Sequence, residues 1–248
     1  MTTSLPRLTG TRLHCDTPLS PGAEIVLSES AARHAVTVLR LQVGDTLNLF
    51  NGTGGEYHAT LVAVSKREAR VRLTEFNAIE RESPLAITLA LGISAGERMD
   101  YSLQKATELG VTAIQPLATE RSVVKLTGER ADKRLQHWQN VVIAACEQCG
   151  RNRVPRVAPV QTLFAYLACV GKGRRLLLSP DAAQPLKRVP PSAAVVLLIG
   201  AEGGLAPAEC QAAEAGGFEP VSLGPRILRT ETAPVAALAV LQALWGDL

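Results

Sequence analysis

From Leu85 onward, short apolar runs alternate with amphipathic stretches, and this rhythm constrains the fold more than any other feature of the chain. Leu85–Ile93 is apolar throughout and suits a strand covered on both faces. Met99–Leu109 reads as a helix stopped by Gly110. Ala113–Pro116 reads as a short strand, and Glu129–Cys149 as a long helix with Leu135, Trp138, Val142 and Ala145 on one stripe. Further strands are expected at Arg174–Leu178, Val195–Ile199 and Pro220–Leu223, and helices at Pro207–Ala215 and Thr232–Leu244. Strands separated by helices imply a largely parallel α/β sheet.

The first 75 residues follow a different rhythm. Glu24–Leu27, Thr46–Phe50, Glu56–Val64 and Ala69–Leu73 alternate as half-buried strands do, with a hairpin-like turn over Asn51–Gly55. One helix, opening at Ser28 or Ser30 and running through Ala31–Leu39, interrupts them. A small β-barrel is the expected form. Residues 76–84 are polar, end in Pro84 and read as a linker. The domains are therefore expected at 1–75 and 85–248, within the 248 residues of the chain.

Composition narrows the function. Hydrophobic residues make up 46% and charged residues 20%, the balance of a globular protein. No stretch reaches the roughly 20 apolar residues of a membrane span, and Met1–Gly10 has no apolar leader run, so a cytoplasmic protein is expected. Five cysteines, an odd number, argue against a disulfide framework. Cys146 and Cys149 form a CxxC, but no second pair completes a metal site, so no metal is expected. Residues 1–84 carry nine basic and nine acidic side chains, whereas residues 120–156 carry eight basic and four acidic ones. That local excess suits a phosphate-binding face as well as a solvated surface.

Ligands of α/β sheets bind where strands end. Two loops stand out there: Leu198–Gly204 (LIGAEGG), with Glu202 its only charge, and Leu223–Ala233 (LGPRILRTETA), which enters the last helix. Thr230 or Thr232 is the expected cap of that helix, with Pro234 in its first turn. Neither GxGxxG after a first strand nor GxxxxGK[ST] is present, which disfavours nicotinamide and nucleoside-triphosphate enzymes.

Ile199–Gly204 followed by Glu209, together with Leu223–Ala233, resemble the signature loops of the SPOUT methyltransferases. More narrowly, the chain resembles the bacterial family that methylates N3 of a uridine in 16S ribosomal RNA (the RsmE family). Lys105–Val111 (KATELGV), Ala144–Pro155 (AACEQCGRNRVP) and His34 with Val38-Leu39-Arg40 match the family's other motifs in order. One departure is Ala201, where the family usually has proline. Its loss should raise the unfolded-state entropy of that turn, by roughly 0.4–1 kcal/mol.

The resemblance implies a carboxy-terminal domain with a deep trefoil knot, an amino-terminal PUA-like RNA-binding domain, a homodimer and S-adenosylmethionine as methyl donor. The last helix, with Val235, Leu238, Leu241 and Trp245, would serve either that dimer interface or the intrachain core. It places the cofactor against Leu178, Ser179, Ile199, Gly200, Glu202, Gly203, Gly204, Leu223, Gly224, Ile227, Leu228, Arg229, Thr230 and Ala233, with Ser179–Asp181 as a third loop. Arg229 is expected to stabilise the anion developing on the base, with Glu231 or Glu202 as proton acceptor; an Arg229–Glu231 ion pair is the purely structural alternative. Arg33, His34, Arg40, Lys105, Arg121, Lys125, Arg151 and Arg153 are the expected RNA contacts. Two rivals remain open: a SPOUT enzyme that methylates a ribose 2′-oxygen, and a non-catalytic RNA-binding ribosome-assembly factor.

Overall fold

The computed structural model describes residues 10–65, 68–124 and 126–248. The chain divides into two compact units. One holds residues up to Glu82 together with Cys146–Val154, and the other holds Ser83–Ala145 and Pro155–Leu248. The sequence alone assigned residues 146–154 to the second domain. Their contacts group them with the first.

In the first unit, β1 (Thr11–His14), β2 (Glu24–Val26), β3 (Thr46–Phe50), β4 (Glu56–Val64) and β5 (Ala69–Asn77) form one sheet in the order β1-β3-β4-β5-β2. β3, β4 and β5 pair antiparallel, and β1 joins β3 in parallel. Alternation decides which face is buried: Leu47, Leu49, Ala59, Leu61, Val71 and Leu73 point into the core with Leu13 and Leu27. Helix α1 (Glu29–Arg33) is capped by Ser28, whose hydroxyl accepts from the Ala31 N–H, and it continues as a π-helical turn over His34–Val38.

Charge also holds this unit together. Arg12, 6% exposed, is paired with the buried Glu56 and donates to Asn152 Oδ1 (2.7 Å) and to the Arg151 carbonyl (3.1 Å). Arg151 itself is 3% exposed, and its guanidinium grips both oxygens of Glu82. Asn152 donates to the Ile79 carbonyl (2.7 Å). The 146–154 segment is thus tied to the strands by buried, paired polar groups, the arrangement that makes a buried charge tolerable. Within it, burial pushes the Cys146 thiol up to about 12, so the CxxC sulfur stays protonated at neutral pH.

The second unit is built on a parallel sheet. Its strands are β6 (Ala86–Gly92), β7 (Ala113–Ala118), β8 (Arg156–Val157), β9 (Gln161–Thr162), β10 (Arg174–Leu178), β11 (Ala194–Ile199) and β12 (Glu219–Val221). The order is β12-β10-β11-β6-β7-β8, with β9 also on β7, and every pairing is parallel. The connecting helices are α2 (Glu97–Glu108), α3 (Glu129–Cys149), α4 (Leu163–Leu167), α5 (Pro207–Ala215) and α6 (Thr232–Trp245). Ile87, Leu89, Leu91, Leu197 and Leu198 are fully or almost fully buried, as a doubly covered sheet requires. Among the described residues, no helix is long and apolar enough to cross a membrane.

Glu82→Ala leaves the Arg151 guanidinium buried without its carboxylate. The variant should lose about 3–5 kcal/mol in urea unfolding, whereas pairing it with Arg151→Met should recover much of that loss.

Candidate active site

Because β12, β10 and β11 are adjacent and parallel, their carboxyl ends emerge side by side. The loops that follow them, at Leu178–Pro180, Ile199–Gly204 and Leu223–Ala233, line a cleft of about 280 Å³. This volume lies near the lower end of small-molecule pockets. The walls combine Leu178, Ile199, Leu223, Ile227 and Leu228 with Ser179, Glu202 and Thr230. Of the expected cofactor residues, all but Arg229 line the cleft. Pro180, Ala201 and Arg226 line it too, although the sequence reading did not name them as contacts.

Two glycines set the geometry. A Cβ on Gly92 would lie 2.3 Å from the Ala201 nitrogen, and one on Gly200 would lie 2.6 Å from the Gly204 carbonyl carbon. No side chain fits at either place, so the turn folds directly against the end of β6. Ala201 occupies the position of the missing proline without opening the turn. Its carbonyl still accepts from the Gly204 N–H at 2.8 Å.

Side chains then knit the loops together. Glu202 Oε1 accepts from the Ala95 N–H (2.8 Å) and from Arg98 Nη1 (3.3 Å), while Oε2 is buried without a hydrogen-bond partner. Ser94 and Thr230 share a hydroxyl–hydroxyl hydrogen bond of 3.1 Å. Glu209, 2% exposed, accepts from the Glu120 N–H and from the Ala206 N–H, both at 2.9 Å. It therefore fixes the start of α5 and the loop after β7 at once. Arg121 lies over Gly203 and donates to its carbonyl (2.9 Å). Ser94, Ala95 and Arg98 were missed from sequence, although they follow an apolar strand just as the named loops do.

The start of α6 differs from expectation. Neither Thr230 nor Thr232 caps it: Glu231 is the N-cap residue, without a side-chain cap bond, and Thr230 is committed to Ser94. The Arg229 carbonyl accepts the Thr232 and Ala233 N–H groups instead. The Arg229–Glu231 ion pair, the structural alternative to a catalytic role, is not formed, and neither side chain has a hydrogen-bonded partner among the described residues. Arg229 is exposed and Glu231 half-buried.

The expected RNA contacts fall into distinct environments. In the first unit Arg33, Arg40 and Arg153 are exposed, and His34 is half-buried with Nδ1 3.9 Å from Glu147. Arg151 is a correction: buried and clamped on Glu82, it serves the fold and is closed to phosphate. In the second unit Arg121 is exposed, and Lys105 is held by Glu108 at 2.8 Å. Lys125 lies outside the described residues.

Residues 81–242 match the RNA methyltransferase domain family, and residues 27–74 match the RNA methyltransferase PUA domain. The chain belongs to the RNA methyltransferase family. It is 35% identical over 226 residues to the ribosomal RNA small subunit methyltransferase E of Buchnera aphidicola from Schizaphis graminum, covering 90% of this chain and 92% of that one. The Bacillus subtilis protein of the same name is 32% identical, with 86% and 89% covered. Among solved structures, ribosomal RNA small subunit methyltransferase E from Neisseria gonorrhoeae, bound to S-adenosyl methionine, superposes with a TM-score of 0.90 at 43% identity, covering 97% of this chain and all of that one. Family membership establishes the architecture as an α/β methyltransferase domain with a PUA domain.

Glu209→Ala orphans the backbone N–H donors of Glu120 and Ala206. It should cost about 1–3 kcal/mol per donor in urea unfolding, while Glu214→Ala on an exposed position of α5 should change stability by less than about 0.5 kcal/mol.

Proposed function

We propose that this protein methylates N3 of a uridine in 16S ribosomal RNA, in the cytoplasm, with S-adenosylmethionine as donor. The observation that carries the reading is the glycine-walled cleft at the carboxyl ends of β10, β11 and β12. Its features suit this cofactor. The close backbone approach at Gly92 and Gly200 holds the Ile199–Gly204 turn, whose residues line the cleft, in a compact form that suits contact with a nucleoside. Ile199, Leu223 and Leu228 offer apolar cover, and Ser179 and Thr230 offer hydroxyls. The relatives named above are named as methyltransferases of small-subunit ribosomal RNA, and the Neisseria structure holds the cofactor.

When bound, S-adenosylmethionine supplies a methyl group already activated by its sulfonium. The chain's own residues supply orientation and electrostatics. Uridine N3 becomes nucleophilic only as its proton leaves, and the charge that develops spreads onto the base oxygens. Arg229, exposed and without a side-chain partner among the described residues, adjoins Leu228 and Thr230 of the cleft in sequence, which supports it as the cation that stabilises that charge. Glu231, whose side chain takes no donor among the described residues, is the proposed acceptor of the N3 proton, with Glu202, whose Oε2 is also without a donor, as the alternative. Exposed Arg33, Arg40 and Arg153 of the first unit, and Arg121 of the second, are taken as phosphate contacts, as are His34 and Lys105 once they release Glu147 and Glu108.

The knot and the dimer belong to the same proposal. Strand order β12-β10-β11 with three loops converging on one cleft supports a trefoil knot threaded through Ser179–Asp181, Ile199–Gly204 and Leu223–Ala233. Leu244 and Leu248, 45% and 68% exposed beside half-buried Trp245, support a second copy packed at the end of α6.

Transfer of labelled methyl from S-adenosylmethionine to unmodified small ribosomal subunits, followed by nucleoside analysis, tests the reaction. The product should run as 3-methyluridine. Label on ribose would make the protein a 2′-O-methyltransferase, and no transfer would leave an RNA-binding assembly factor. Arg229→Ala should keep cofactor affinity by calorimetry and lower the transfer rate by about 10²–10³.

A further inference from the structure

The cleft at the carboxyl ends of β10, β11 and β12 is walled mainly by apolar side chains and backbone, yet two of its lining residues are charged: Glu202 and Arg226. They come from different loops. Glu202 lies in the turn after β11 and Arg226 in the loop after β12, and β10 runs between those two strands. A negative and a positive group thus reach one cleft from loops on either side of the loop that follows β10.

The two do not neutralise each other. Glu202 uses Oε1 to accept from the Ala95 N–H (2.8 Å) and from Arg98 Nη1 (3.3 Å), and that grip fixes the carboxylate. Its Oε2 is buried and has no hydrogen-bond partner. A buried carboxylate oxygen without a donor is costly, and in a cleft a donor on the ligand removes that cost. Arg226 is exposed and has neither a hydrogen-bonded nor an ion-paired partner among the described residues. The apolar walls, Leu178, Ile199, Leu223, Ile227 and Leu228, suit a nucleoside. What is left for the two charges is the other end of the donor, where one carbon carries both an ammonium and a carboxylate.

We propose, resting on the S-adenosylmethionine reading, that Glu202 and Arg226 together recognise the amino-acid end of the cofactor. Glu202 Oε2 accepts from the ammonium, and the Arg226 guanidinium donates to the carboxylate. Both are charge-assisted hydrogen bonds, about twice as strong as neutral ones, and the fork of an arginine matches a carboxylate. An uncharged nucleoside thioether gains nothing from such a pair. The pair is equally indifferent to the sulfonium, so the demethylated product, S-adenosylhomocysteine, is held by the same two residues and competes with the donor. With Oε2 committed to the ammonium, Glu202 is not available for the N3 proton, and Glu231 is left to accept it.

Calorimetric titration with S-adenosylmethionine, S-adenosylhomocysteine and 5′-methylthioadenosine, which keeps the nucleoside and lacks the amino acid, tests the assignment. The wild-type protein should bind the first two within about tenfold of each other and the third about 100-fold or more weakly. Arg226→Gln and Glu202→Gln each remove one charge and keep a polar side chain, and circular dichroism checks that both variants fold. Each should weaken both amino-acid-bearing ligands by about 10–100-fold and leave 5′-methylthioadenosine within about twofold of its wild-type affinity. Arg226→Lys, which restores the charge without the fork, should recover part of the loss. Equal losses for all three ligands would overturn the proposal, as would wild-type affinities in both variants. A loss confined to S-adenosylmethionine would overturn it too, by assigning the Glu202 charge to the sulfonium. If the wild-type protein binds none of the three, the methyltransferase reading falls with it; wild-type binding of S-adenosylmethionine with any of those variant patterns removes this inference alone.

Discussion

The cleft exists because two backbones touch where a side chain would keep them apart. Gly92 at the end of β6 and the Gly200–Gly204 turn after β11 meet closely enough that a single methyl at either glycine would collide with main-chain atoms. That contact seats Glu202 against the Ala95 N–H, and Ser94 in turn reaches Thr230 on the loop that opens α6. Three loops that are far apart in sequence are thereby held in one arrangement. A parallel sheet brings its loops to one edge, but the glycine contact and these two hydrogen bonds give that edge a defined shape.

The same division between scaffold and chemistry runs through the charges. Glu209, Arg151, Arg12 and Glu56 are buried, Glu82 is half-buried, and each ties a segment in place through its hydrogen bonds. Arg229, Glu231, Arg33 and Arg40 have no side-chain partner among the described residues. A residue already satisfied inside the fold has little left to offer a ligand. An unpaired one at a cleft contributes its full charge when the ligand arrives.

Much of the second unit was legible because its signals are local. Apolar runs fix β10 and β11, Pro207 and Gly216 bracket α5, and the two glycine-bearing loops announce the cleft. What escaped depends on distant partners. β1 (TRLH) carries a buried arginine whose partner is 44 residues away, and β8 and β9 are two residues long. The pattern of α3 runs unbroken to Cys149, so nothing local says that its last turn belongs with the first unit. Arg151 and Arg153 look alike in sequence, yet one is buried on Glu82 and the other is exposed. Ser94 and Arg98 went unnoticed because a serine and an arginine after a strand carry no signal until Glu202 and Thr230 are seen beside them.

The central claim is that glycine-enforced backbone packing shapes a cleft for S-adenosylmethionine. Calorimetric titration of that cofactor into the wild-type protein and into Gly200→Val tests it most directly, with circular dichroism confirming that both are folded. The account predicts one binding event per chain for the wild type and none for the folded variant, because two added methyls and a Cβ occupy the space that the Gly204–Leu205 backbone needs. Cofactor binding by Gly200→Val with wild-type affinity, or no binding by the wild type, would contradict it.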